Sequence, residues 1–164
     1  MKYVEAPERY YTGELSLFLA GGITNCPDWQ QEMRELLKEL DIVIFNPRRK
    51  DFPIGDPDAA FDQIKWEFEF LNRADMILFW FSRGSLNPIV LFEYGKWLMN
   101  TRNKTNYKPI FVGIDPEYER RQDVELQTRF ENNFYASRIQ YSLEDLANRI
   151  KDELKTALNK LSEK

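Results

Sequence analysis

Residues 76–81 read Met-Ile-Leu-Phe-Trp-Phe, six apolar residues closed by Ser82-Arg83-Gly84. The run is far too short to span a membrane and has no polar alternation, so it predicts a strand covered on both faces, central in a parallel sheet. Working outward, residues 15–20 (Leu-Ser-Leu-Phe-Leu-Ala) stop at Gly21-Gly22, residues 42–45 (Ile-Val-Ile-Phe) end at Asn46-Pro47, and residues 109–114 form a further apolar run. These three also read as buried strands punctuated by turn residues. Helical spacing fills the intervals. Trp29, Met33, Leu36, Leu37 and Leu40 follow Pro27, which suits a first helical position. Residues 59–74 predict a helix with Ile64, Phe68 and Leu71 on its inner face, and Asn87-Pro88 reads as a cap and first residue of a helix to about Asn100. A capping box, Ser142-x-x-Asp145, opens a final helix over 142–161 marked by Leu143, Leu146, Ile150, Leu154 and Leu161. Residues 138–141 read as a short fifth strand, 1–13 as an extended arm and 48–58 as a long loop, while 117–134 are polar and resist placement.

Strands alternating with helices predict an α/β fold, a flavodoxin-like (Rossmann-like) three-layer sandwich of about five parallel strands in the order 2-1-3-4-5 with helices on both faces. No repeat, low-complexity tract or linker interrupts the 164 residues, so one domain is expected. Ligands in such sheets sit beyond the carboxyl ends of strands, where the strand order reverses. That directs attention to residues 20–24 and 82–87.

Composition narrows the chemistry. The chain has no histidine and one cysteine, Cys26, so Ser-His-Asp and Cys-His catalysis and zinc or iron–sulfur clusters are not expected. Catalysis would have to use carboxylates, Tyr, Lys or Arg. Net charge is −4, and the basic groups Arg48-Arg49-Lys50 and Arg120-Arg121 read as solvated loops, so neither a nucleic-acid polymer nor a membrane is expected as partner. The N-terminus has no signal-peptide pattern, and a cytoplasmic protein is expected. Both G-x-G-x-x-G and the P-loop are missing, and the Gly21-Gly22 pair alone is explained by a tight strand-to-helix turn.

Two acids stand out. Glu93 lies in Ile89-Val90-Leu91-Phe92-Glu93-Tyr94-Gly95-Lys96-Trp97, a helix apolar nearly all round and therefore expected to be buried. A carboxylate there costs several kcal/mol unless hydrogen-bonded, paired with Lys96 or protonated. Gly95 leaves room beside it for a ligand or another backbone. Glu67 falls at the edge of the apolar face of the preceding helix, and Glu69 points to solvent; alone, Glu67 reads as a rim residue. Together the two acids flank the third strand and could serve glycosyl transfer, one attacking an anomeric carbon and the other protonating the leaving group.

Residues 20–23 (Ala-Gly-Gly-Ile), Trp66-Glu67-x-x-x-Leu71-x-x-Ala74-Asp75 and Asn87-x5-Glu93-Tyr94-Gly95 resemble, in combination and order, the nucleoside 2-deoxyribosyltransferase family and its deoxynucleoside 5′-monophosphate N-hydrolase relatives. The resemblance spans roughly residues 15–97. It implies that Glu93 is the nucleophile, forming a covalent glutamyl–sugar ester, and that Glu67 contacts the base and moves its proton. It further implies substrate contacts from Phe18, Gly21, Gly22, Asn46, Arg48, Trp66 and Asn87, with no metal and no cofactor. The sequence departs from the family pattern in Glu67 for Asp, Asn87 for Asp and Phe18 for Tyr; Phe18 cannot hydrogen-bond Glu93. The implied reaction exchanges nucleobases on a 2-deoxyribosyl group with retention. Hydrolysis of nucleosides or their 5′-monophosphates, or a non-catalytic nucleotide-binding module, are the alternatives. With Ile23-Thr24-Asn25-Cys26 lacking a basic residue, nucleosides are favoured over nucleotides, and Arg48 and Arg49 are the residues that could reverse this. Relatives form dimers or hexamers, so a homo-oligomer is expected.

Overall fold

The computed structural model describes residues 1–53, 55–102 and 108–162; the side chains at positions 57, 158 and 160–162, Leu161 among them, lie outside the described residues. In chain order the elements are β1 (Lys2–Glu5), β2 (Ser16–Gly21), α1 (Trp29–Leu36), β3 (Val43–Asn46), α2 (Pro57–Arg73), β4 (Met76–Phe81), α3 (Pro88–Asn100), β5 (Ile110–Ile114), α4 (Arg121–Glu131), α5 (Asn133–Ala136) and α6 (Leu143–Ser162). The five strands form one all-parallel sheet in the order β1-β3-β2-β4-β5. The apolar runs β2, β3, β4 and β5 take the relative order expected of a flavodoxin-like fold. The fifth strand is elsewhere: it is β1, from the segment read as an arm, paired to β3. Residues 138–141 contribute only the isolated bridge between Gly113 and Gln140. No helix among the described residues is long and apolar enough to cross a membrane.

Alternate residues of the strands feed two cores, as a sheet with helices on both faces requires. Ile77, Phe79 and Phe81 of β4 join Phe18 and Ala20 of β2 beneath α2, α3 and α4. Leu78 and Trp80 join Leu17 and Leu19 beneath α1 and α6. At the lower edge of the sheet, Asp75 Oδ2 accepts from the Ser16 N–H (2.9 Å) and hydroxyl (2.6 Å), and the Asp75 N–H donates to Ser16 Oγ (3.1 Å). This clasp fixes the register of β2 against β4.

Several local expectations are corrected. Pro27 precedes α1, whose cap is Asp28 accepting from the Gln31 N–H. Helix α2 starts earlier, behind Asp56 and with Pro57 in its first turn, and it is rotated relative to the expected face. Trp66, Phe70 and Leu71 are buried, while Phe61, Ile64 and Phe68 are about two-thirds exposed (66, 66 and 65%). The sheet beneath α2 is lined with Phe18 and Phe45, and the rings of Trp66 and Phe70 pack on them, tilted or edge-on, at 4.7–6.4 Å. Helix α3 is not buried all round either: Val90, Tyr94, Trp97 and Leu98 face the core, and Ile89, Phe92 and Met99 face outward. The polar segment 117–134 holds α4, which buries only Val124 and Thr128. The N-terminal arm is bound to α2 through Trp66 Nε1–H to Glu8 O (2.7 Å) and the Arg9–Glu69 ion pair (2.7 Å), so Glu69 is half-buried and paired rather than free.

Candidate active site

The chain leaves β2 for β3 on one side and returns through α2 to β4 on the other, so the ends of β2 and β4 diverge and leave a crevice. A cleft of about 400 Å³ fills it, within the roughly 300–1,000 Å³ usual for small-molecule sites. Its floor is Phe18, Ala20, Gly21 and Gly22, its walls Ile23, Thr24, Pro47 and the segment Ser85 to Val90 without Leu86, and Glu67 and Glu93 project into it from α2 and α3. Phe18 lies on the sheet face beneath those two helices and lines the same cleft as the acids.

The glycine pair has a packing reason. A Cβ on Gly21 would stand 2.3 Å from the Trp29 ring and 2.7 Å from Trp80 O. On Gly22 it would stand 1.9 Å from Asn87 Oδ1 and 2.6 Å from Cys26 Sγ. Asn87 therefore lies directly against the β2–α1 loop. It takes the left-handed conformation (φ 50°), makes no side-chain cap to α3, and donates Nδ2–H to Ser82 O (2.8 Å) while Oδ1 accepts from the Cys26 thiol (3.5 Å). Asn87 is thus the N-cap residue before Pro88 as expected, but its amide, although it borders the cleft, ties the two loops together instead of capping α3.

Glu93 is half-buried, and no hydrogen bond or ion pair reaches its carboxylate among the described residues. Burial, then the charge of Glu67, push its pKa up to about 7, with Lys96 opposing weakly. Lys96 is turned away, over the Phe68 and Trp97 rings and toward Asn72 Oδ1 (3.4 Å). The hydroxyl of Tyr94 is likewise engaged, with Thr128 Oγ1 at 2.7 Å. Burial also raises the pKa of Glu67, and a hydrogen bond from Gln63 Nε2–H to Oε1 (2.7 Å) works against that rise. Both carboxyls are thus disfavoured as charged groups by burial over one apolar floor, and the charge of Glu67 adds to the rise at Glu93.

Three expected contacts lie outside the cleft. Trp66 is buried in the core beneath Phe18, with its indole N–H on Glu8 O. Asn46 faces the neighbouring hollow beside Tyr3 and Asp28, and its amide closes a turn on the N–H and C=O of Arg48. Arg48 is spent as an anchor, donating to Gln30 Oε1 (2.9 Å), Cys26 O (3.3 Å) and Pro27 O (2.9 Å) beside Asp28 (3.5 Å). Gly95 meets open space, so nothing within this chain requires its missing side chain. Conversely, Gln63 was not singled out from sequence, whereas Ser85 falls within the segment 82–87 expected at the crevice. Gln63 shares the helix face of Glu67 four residues on, a spacing that could have marked it. Among the described residues no group of three or more Asp, Glu, Cys or His side chains could hold a metal ion.

A family model described as nucleoside 2-deoxyribosyltransferase like matches residues 14–109, which include every residue lining the cleft. No curated protein matches the chain.

Proposed function

Because the chain belongs to the nucleoside 2-deoxyribosyltransferase-like family, we propose that it transfers a 2-deoxyribosyl group between nucleobases through an ester on Glu93. The observation that carries this reading is the pair of half-buried carboxylates over one cleft, one of them, Glu93, without a hydrogen-bond or ion-pair partner among the described residues. In the first step the Glu93 carboxylate bonds to C1′, the C1′–N bond breaks, and its electron pair leaves with the base, which takes a proton from the Glu67 carboxylic acid. In the second, a ring nitrogen of another base attacks C1′, the ester oxygen leaves as the Glu93 carboxylate, and the incoming N–H proton passes to Glu67. Two inversions give retention. With Tyr replaced by Phe18, substrate itself supplies the hydrogen bonds to Glu93, while Phe18 and the apolar wall at Ile89 and Val90 exclude water from the ester.

Neutral nucleosides fit better than nucleotides. Among the described residues no Lys or Arg lines the cleft, and a 5′-phosphate would share it with two acids. Thr24 and Ser85 line the cleft, and their hydroxyls would meet the sugar. A homo-oligomer is part of the proposal. Phe61, Ile64 and Phe68 of α2 and Ile89 and Phe92 of α3 are exposed, and the two helices meet where Lys96 Nζ of α3 lies 5.3 Å from the Phe68 ring centroid. An apolar surface of that kind at the rim of a cleft is characteristic of a subunit contact.

The test is incubation with a purine or pyrimidine deoxynucleoside, with and without a second free base, followed by chromatography. A new nucleoside, with a deoxyribosyl adduct of Glu93 by mass spectrometry, is the expected result. Sugar and free base without exchange would move the assignment to hydrolysis. Silence with every donor, phosphorylated or not, would refute an enzymatic role.

A further inference from the structure

The side chain of Gln63 is held in an arrangement that costs the protein something and that the proposed reaction, as described so far, does not use. Its Nε2 donates to two acceptors at 2.7 Å each, the backbone carbonyl of Pro47 and Oε1 of Glu67. Both amide hydrogens are thereby committed. Its own Oε1 is buried with no hydrogen-bond partner among the described residues. An orphaned buried acceptor is unfavourable, and rotating the amide would set its oxygen against two other oxygens, so the pair of donations fixes its orientation. Pro47 and Glu67 are both cleft residues, one from the end of β3 and one from α2, and Gln63 is the link between them behind the lining.

We infer that Gln63 is a positioning residue for Glu67: by occupying Oε1 it leaves Oε2 as the only oxygen that carries and delivers the proton, and it holds that oxygen at a constant distance from the wall at Pro47. This deepens the transferase reading and rests on it for the identity of the proton acceptor, a ring nitrogen of the departing base. The donation to Oε1 favours the carboxylate form of Glu67. Glu67 therefore gives up its proton readily to the leaving base, whereas an acid buried without a donor would retain it. The other charged or titratable group facing Glu67 across the cleft is Glu93 on α3, and the nearest cation on that helix, Lys96, is turned to Asn72.

The test uses the full chain and two variants of opposite expected sign. Gln63→Met keeps the length of the side chain and removes both donors; Gln63→Lys keeps a donor and removes the orphaned acceptor. The titration of Glu67 is followed by carboxyl 13C NMR in the free protein, with its resonance assigned by loss in Glu67→Gln. The expected result is a Glu67 midpoint at higher pH in Gln63→Met and at lower pH in Gln63→Lys. With a deoxynucleoside and an acceptor base, Gln63→Met should lose about tenfold in kcat with KM nearly unchanged. The basic limb of its pH profile, where the acid loses its proton, should move up. An unmoved midpoint in Gln63→Met would overturn the inference and leave Gln63 as a tie between α2 and Pro47. Should Gln63→Met fail to fold, Gln63→Leu, which also removes both donors without adding charge, decides by the same readout. Moved midpoints in a wild-type protein that turns over no donor would refute the transferase reading and leave the hold on Glu67 standing.

Discussion

Replacing Glu93 by Gln should make the protein more stable, by an amount that depends on pH. In the folded chain Glu93 ionises near pH 7, against 4.5 for an unhindered glutamate. Between those values the native state binds the proton more tightly than the unfolded chain, so wild-type stability falls as pH rises through that window. Each unit of difference corresponds to about 1.4 kcal/mol, so the penalty is roughly 0.8 kcal/mol at pH 5 and about 3 kcal/mol at pH 8, where it has reached its plateau. Gln keeps the shape, cannot ionise and escapes the penalty. Chemical denaturation of wild type and Glu93→Gln at pH 5 and pH 8 measures the difference. The variant should gain about 3 kcal/mol at pH 8, on the order of 6–12 °C in Tm for a chain of this size, and most of that gain should vanish at pH 5. A variant less stable than wild type at pH 8, or a gain equal at both pH values, would refute the account of Glu93 as an acid held at a cost in a site shaped for something else.

Three further outcomes are expected. The acid limb of a pH–rate profile with a deoxynucleoside should follow the ionisation of Glu93, falling about tenfold per pH unit below pH 7, and a flat acid limb would remove Glu93 as nucleophile. Gly22→Ala places a methyl against the Asn87 amide and the Cys26 thiol and should cost about 1–3 kcal/mol in denaturant titrations; an unchanged midpoint would show that the two loops are not tied there. Phe92→Asp, on the outer face of α3, should lower the mass seen by light scattering to that of a monomer, and a wild-type monomer would remove the oligomer from the proposal.

What could be read from sequence follows from where the physics is local. The buried strands announce themselves because an unbroken run such as residues 76–81 has no soluble alternative, and each stops at a residue that breaks the ladder. Strand β1 was hidden because it is an edge strand in which only Val4 is fully buried, so Lys2 and Glu5 mask the pattern. Helix α2 offers two apolar stripes, Trp66–Phe70 and Phe61–Ile64–Phe68, and periodicity alone has no means of choosing which meets the sheet. Helix α3 repeats the problem with Val90–Tyr94 and Ile89–Phe92. Glu93 and Glu67 were legible because a carboxylate in an apolar stretch is conspicuous. Gln63 carries no charge and so gave no such signal, and the engagement of Asn87, Asn46 and Arg48 depends on partners more than fifteen residues away or on a turn whose geometry is not encoded in residue type.

The guanidinium of Arg48 works as a strut. It props the loop after β2 from the loop after β3, gripping two carbonyls and one amide at once, and the floor of the cleft rests on the loop it supports. A lineage or an engineer wanting this scaffold to accept a charged substrate cannot simply redirect that arginine, because freeing it would unmoor Gly22 and with it the seat of Asn87. The economical route is to install a new cation at Thr24, which is exposed and already borders the cleft, so that the strut and the floor it carries stay in place.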